Sequence, residues 1–227
     1  AGYTVVVNYA SNAGAADAVV RDIEAGGGRC VAVQGEVQSE ADVMRLFATA
    51  DGFGPLAGLV NNAGVVDRAA RVDEVSFERL RRLFDINVLG SILCAREAVK
   101  RMSTRHGGRG GAIVNVSSAS ARLGSAGQYV DYAAAKGAIE SFTVGLGREI
   151  ADEGVRVNAV RPGIIDTEIH ASGGAPDRVA QVASSLPMHR AGSPEEVAAA
   201  ILWLLSDAAS YTTGATIDVS GGRSVAP

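Results

Sequence analysis

Ala112-Ile113-Val114-Asn115-Val116-Ser117-Ser118 is the stretch on which the fold turns. A short, nearly continuous β-branched run that ends in two hydroxyls reads as a buried strand delivering polar groups at its carboxyl end. Downstream, Val130–Ala151 has the pattern of a long helix, and its first turns carry Tyr132-Ala-Ala-Ala-Lys136. Tyr132 and Lys136 are four apart, so both project from one helix face. A phenol titrates near pH ~10, and an ammonium held beside it favours the phenolate and draws it toward the working range. With Ser118 close by, a hydroxyl can hydrogen-bond a substrate oxygen while the tyrosine gives or takes the proton. Ser117 is the weaker candidate, because alternate strand residues face opposite ways.

The same alternation extends in both directions. Strands are expected at Thr4–Asn8, Cys30–Gln34, Leu56–Val60, Val155–Val160 and Thr216–Val219. Helices are expected at Ala13–Ala25, Glu40–Ala50 and Glu195–Ser206, with a long stretch from Ser76 to Met102 interrupted near Asp85–Asn87. Strand–helix alternation with apolar strands is the signature of an α/β, doubly wound parallel sheet, whose ligands sit beyond the strands' carboxyl ends. Polar groups stand at those ends: Asn8-Tyr9-Ala10-Ser11, Asn61-Asn62-Ala63-Gly64, Ser117-Ser118 and Arg161-Pro162-Gly163. No repeat or linker breaks the pattern, so residues 1–227 read as a single domain.

Composition narrows the function. The chain has 227 residues, 28 of them glycine, and a net charge of −4 with no long basic run, which leaves no electrostatic footprint for nucleic acid. No apolar segment approaches the ~20 residues needed to cross a bilayer. The opening Ala1-Gly2-Tyr3-Thr4 lacks a signal peptide's charged lead, and Cys30 and Cys94 read as reduced thiols, so a cytoplasmic protein is expected. His106, His170 and His189 are scattered, and no metal site is assigned.

Five motifs standing in order give the chain its resemblance: Asn61-Asn62-Ala63-Gly64, Asn87 within Asp85-Ile86-Asn87-Val88, Ser118, Tyr132-x-x-x-Lys136, and Pro162-Gly163-Ile164-Ile165-Asp166-Thr167. Together they resemble the short-chain dehydrogenase/reductase (SDR) family, NAD(P)-dependent oxidoreductases on a Rossmann-type fold, over essentially the whole chain. The resemblance implies that Tyr132 is the general acid/base and that Ser118 polarises the substrate oxygen. Lys136 would lower the tyrosine's pKa and hold the nicotinamide ribose, and Asn87 would anchor a water in a proton relay. Asn87 also falls on the apolar stripe of Leu80, Leu83 and Phe84, where a helix–helix hydrogen bond is the plainer role. Thr167 and the backbone of Ile165, after Pro162 and Gly163, would hold the carboxamide. Asn61, Ala63 and Gly64 would let the backbone lie against the adenosine ribose, with Glu36 and Val37 beside the adenine.

Two departures from the family pattern carry expectations of their own. The interval from Ser118 to Tyr132 is one residue longer than the family's usual spacing, which implies an extra residue in the Ala119–Gln128 loop. The family's first strand and its glycine-rich phosphate loop are absent, and the chain opens at what resembles the second strand. The resemblance therefore implies that about two dozen N-terminal residues are missing from the sequence, leaving unpaired strand groups in mid-sheet. A genuinely shortened protein is the alternative.

NADP(H) is favoured over NAD(H). An acid at the end of the first strand present would repel a 2′-phosphate, whereas Asn8 and Ser11 offer neutral donors. The expected substrate is a small carbonyl or alcohol, of the 3-oxoacyl-reductase or the sugar-dehydrogenase kind, since the lining stretches Arg122–Gln128 and Asp166–Arg190 are mostly small and uncharged. Gly173-Gly174 suggests a lid over that substrate. The family's usual homotetramer would form through Ser76–Met102, Val130–Ala151 and Thr216–Val219. The contrasting class is a non-catalytic scaffold that lost the phosphate loop; an intact Ser118, Tyr132 and Lys136 speak against it.

Overall fold

The computed structural model describes residues 2–225. Strands β1 (Thr4–Tyr9) and β2 (Arg29–Gln34) pair in parallel, with helix α1 (Ala13–Ala25) crossing between them. Helix α2 (Glu40–Asp51) leads to β3 (Gly58–Asn61). Helix α3 (Phe77–Phe84), a π-helical segment (Asp85–Gly90) and α4 (Ser91–Met102) then run on into one another before β4 (Gly111–Val116). Short α5 (Ser120–Leu123) and long α6 (Val130–Glu149) precede β5 (Val155–Pro162). Small helices α7 (Ile169–Ser172) and α8 (Arg178–Val182) follow, then α9 (Pro194–Leu205) and β6 (Thr216–Val219).

Sequence explains the element boundaries. Asn12 caps α1 by accepting from the Ala15 amide, and Ser39 caps α2 through Asp42. Ser193 and Glu196 form a reciprocal capping box around Pro194 at the start of α9. β4 and β5 are buried along most of their length, and successive residues serve opposite faces. Ile113 and Val157 join Val43, Phe47, Ala95, Ala98 and Met102 on the α2–α4 side. Val114 and Val160 meet Val197 and Leu204 of α9 on the other. Helices therefore cover both faces, as in a doubly wound sheet.

The strand order is β3-β4-β5-β6 in one sheet and β1-β2 in a second, all parallel. Among the described residues, β1 and β3 each lack a partner on one side. The sheet is thus split where the absent strand was expected. Apolar packing of α2 against α4 spans the gap.

The expected break near Asp85–Asn87 is a π-helix rather than a gap. One extra residue per turn rotates Asn87 into the protein, where it is fully buried, while Leu83 and Val88 pack on Ala135 and Ile139 of α6. The long loop before α6 turns through left-handed Gly124, Ser125 and Gly127.

Candidate active site

Beyond the carboxyl ends of β3, β4 and β5 lies a cleft of about 860 Å³. Asn62, Ser118, Tyr132, Ile164 and Thr167 are among its lining residues, so three strands and α6 deliver polar groups to one place. Tyr132 projects into the cleft, while Lys136, one turn deeper, is buried at 4% exposure. The Lys136 ammonium donates to the Val116 carbonyl at 2.8 Å and lies 5.7 Å from the centre of the Tyr132 ring. Asp131, next to Tyr132, is gripped by both arms of Arg79 from α3 (2.8 and 3.2 Å), which fixes where the helix begins.

The electrostatics differ from the sequence expectation. Burial pushes the Tyr132 phenol up to about 12, with the Ser118 hydroxyl pulling only partly the other way. Burial also pushes Lys136 down, to about 8. Lys136 does not lower the tyrosine in this arrangement, because its ammonium faces the ring and the Val116 carbonyl, and desolvation dominates. At neutral pH the pair is therefore a protonated phenol beside an ammonium that titrates near the working range. Ser117 is accounted for separately: its hydroxyl donates to Glu140 at 2.6 Å, away from the reacting groups.

Asn87 makes a two-point clamp on one backbone unit. Its Oδ1 accepts from the Val65 amide at 3.0 Å and its Nδ2 donates to the Val65 carbonyl at 2.9 Å. The amide thus ties the π-helix to the loop after β3 rather than to a neighbouring helix. A Cβ on Gly64 would stand 2.6 Å from Asn87 Oδ1 and 3.4 Å from Lys136 Nζ, so the loop reaches both groups only as glycine. Gly64→Ala is expected to push this loop off Asn87 and lower stability by about 1–3 kcal/mol. Urea denaturation checks it, and an unchanged midpoint would show that the clamp has slack.

The remaining predicted positions divide into two groups. Gly64, Pro162, Gly163, Ile165 and Thr167 line the cleft. Among the described residues the Thr167 hydroxyl makes no hydrogen bond, and the cap position of α7 falls to Glu168. Asn61 turns inward, donating to Asn115 Oδ1 (2.9 Å) and the Ser91 carbonyl (3.1 Å), and Asn115 continues to Thr143 on α6. Ala63 is exposed beside it. At β1, Asn8 spends its amide hydrogens on the Val33 and Gly35 carbonyls of the neighbouring strand end, leaving the exposed Ser11 as a hydroxyl at the start of α1. Glu36 is exposed, and Val37 packs against Gly90 of the π-helix. Asn61, Ala63, Asn8, Ser11, Glu36 and Val37 all lie outside the cleft lining.

Residues 166–188 form a cover of short helices rather than an open loop. Gly173 is buried, and a Cβ there would meet Val66 at 2.8 Å; Gly174 adopts φ +79° against Arg68. The pair therefore seats the cover on the loop after β3. Sequence reasoning missed Arg79, Asn115 and Thr143, and also Arg178 and Arg223, which line the cleft. The Asn115–Thr143 tie had a faint signal: a polar residue in an otherwise apolar strand.

The sequence family described as Enoyl-(Acyl carrier protein) reductase matches residues 1–224. An uncharacterized oxidoreductase of Escherichia coli K12, YgfF, is 54% identical over 98% of this chain and 90% of its own length. Glucose 1-dehydrogenase 2 of Bacillus subtilis is 38% identical over 98% of this chain and 86% of its own. Among solved structures, a blue fluorescent protein from a metagenomic library in complex with NADPH superposes with a TM-score of 0.87, at 29% identity, over 98% of this chain and 88% of that one.

Proposed function

The chain belongs to the short-chain dehydrogenase/reductase family and is an oxidoreductase, and on that premise we propose that it moves hydride between NADP(H) and a small carbonyl/alcohol pair, with Tyr132 handling the proton. The observation that carries this reading is that Ser118 and Tyr132 line one cleft beyond the strand ends, with the buried Lys136 ammonium 5.7 Å from the Tyr132 ring. The cleft suits the nicotinamide half of the cofactor. Gly64, Gly163, Ile165 and Thr167 line it, and among the described residues the Thr167 hydroxyl makes no hydrogen bond, which leaves it for the carboxamide. When bound, the cofactor supplies or accepts the hydride.

The protein's own groups do the rest. Ser118 donates a hydrogen bond to the substrate oxygen and orients it toward Tyr132. Tyr132, protonated at neutral pH, gives its proton to that oxygen in the reductive direction. Lys136 holds the ribose hydroxyls through its ammonium. Asn87 keeps the loop after β3 in place, and one hydrogen and one lone pair of its amide remain for a relay water. Gly64, Ala63 and Asn61 shape the backbone that faces the adenosine side, with Glu36 and Val37 beyond.

The preference for NADP rests on the turn after β1, which carries no carboxylate and places Ser11 at the amino end of α1, a favourable position for phosphate. Titration of intrinsic and nucleotide fluorescence is expected to show NADPH binding at least about tenfold tighter than NADH; equal or reversed affinities would overturn the choice. The same reading treats residues 1–227 as one cytoplasmic, nucleotide-binding domain that assembles as a homotetramer. Exposed Leu89, Val144 and Trp203 support assembly. Among the described residues no helix is long and apolar enough to cross a membrane.

A further inference from the structure

The cleft's charged lining has a sign. Its wall is mostly small and apolar, and the ionised groups on it are Glu168 from the cover, Arg178 of α8, and Arg223 from the turn after β6, with His170 the remaining titratable base. Arg178 and Arg223 come from segments far apart in sequence, yet both line this one cleft. Both are half-buried. Among the described residues neither has a carboxylate within ion-pair distance, Glu168 included, although most other arginines of the chain do. Arg178 has only the neutral Gln128 Oε1 at 3.1 Å and the face of Tyr129 at 5.4 Å. The Arg223 side chain makes no hydrogen bond to the described protein.

Two like charges sharing one partly dry cleft cost stability unless an anion joins them. Yet the scaffold holds them there. The turn bearing Arg223 is fastened by Ser224, whose hydroxyl reaches Asp218 and Ser220 at 2.6 Å each, and Asp218 is paired to Arg161, itself locked on Glu140. A Cβ on Gly222 would stand 3.2 Å from Pro187 at the end of the cover, and Gly163 has no room for a Cβ against Ser220. Arg178 is steered by Gln128 and Tyr129, which stand just before the helix that carries Tyr132. The segments that carry both arginines are thus fastened at the cleft.

We propose that the substrate carries an anionic oxygen group, a carboxylate or a phosphate, at the end remote from its reacting carbon, and that Arg178 and Arg223 receive that group together. This deepens the function proposed above and depends on it only for the position of the reacting carbon. Planar guanidinium groups suit such oxyanions by bidentate bonds, and ordering Arg178 would also draw the cover over the bound molecule. The neutral walls between Leu123 and Ile201 then span the uncharged middle of the substrate.

The test reads binding without turnover. Succinate, glutarate and inorganic phosphate are titrated calorimetrically into the NADP-saturated protein, with dimethyl succinate as the uncharged counterpart. At least one anion is expected to bind and the diester not; dicarboxylate or phosphate preference identifies the group. Arg178→Gln and Arg223→Gln should each weaken the anion about ten- to a hundredfold, and Arg223→Lys should recover part of the loss. Absence of anion binding by the wild type, or undiminished binding by the double Gln variant, would overturn the proposal. So would a parallel loss of NADPH affinity with no anion competition, which would assign the arginines to the cofactor's phosphates. Anion binding that survives in a Tyr132→Phe protein without activity would keep this inference separate from the fate of the catalytic reading.

Discussion

Tyr132→Phe is expected to lower turnover by about a thousandfold or more, while the affinity for NADPH stays within a factor of about three. The substitution keeps the ring, its packing and its contact with Lys136, and removes one hydroxyl. With the phenol held up at about 12, it is protonated throughout the neutral range, so the wild-type protein is armed as an acid. The same elevation makes the reverse direction demanding, because a tyrosine acting as base must first lose that proton. Alcohol oxidation should therefore accelerate as pH rises, and carbonyl reduction should not. Steady-state rates in both directions, with stopped-flow NADPH binding on the variant, check the set. Residual reduction above about a hundredth of the wild-type rate would move the proton to another group.

The distance between sequence and structure follows the range of the interactions involved. Strands and long helices were legible because burial on two faces leaves apolar runs, and caps such as Asn12 and Ser193 mark where helices begin. That Ser118 and Tyr132 would meet at one cleft, with Lys136 behind, was legible because their placement depends on local helix spacing plus one strand end. The role of Asn87 was half legible: its burial on the apolar stripe followed from periodicity. Its partner did not, since only the π-helical turn aims it at Val65. Asn8 was misleading, for an amide at a strand end can face a ligand or the adjacent strand, and here its hydrogens go to β2. Arg178 and Arg223 were invisible as a pair. They lie on separate segments beyond the motifs, and only the packing of the last turn beneath the cover brings their charges together.

Lys136→Met is expected to abolish most activity and yet make the protein more stable at pH 7. The wild-type ammonium is buried, bonded in the described structure to the Val116 carbonyl, and burial lowers it from 10.5 to about 8. That difference corresponds to a penalty of about 3 kcal/mol for keeping the charge inside. The sign follows from proton counting. Below pH about 8 the lysine is charged in both folded and unfolded chains, so the whole penalty is present and stability from this group is flat. Between about 8 and 10.5 the unfolded chain still holds a proton that the folded one has shed, so stability rises with pH as the penalty is relieved. Methionine has a similar length and no charge to desolvate, but it leaves the Val116 carbonyl without its donor, which returns about 1 kcal/mol. The net gain at pH 7 is about 1–2 kcal/mol, or a rise of about 2–8 °C in Tm for a chain of this size. The gain should shrink toward pH 10, where the wild-type lysine is already neutral. Thermal denaturation of both proteins without nucleotide, at pH 7 and pH 10, measures it. A variant less stable than wild type at pH 7 would mean that the charge is solvated or paired in a way this geometry does not contain. The expected pattern would show instead that the protein holds a costly ammonium beneath Tyr132 because the reaction requires it.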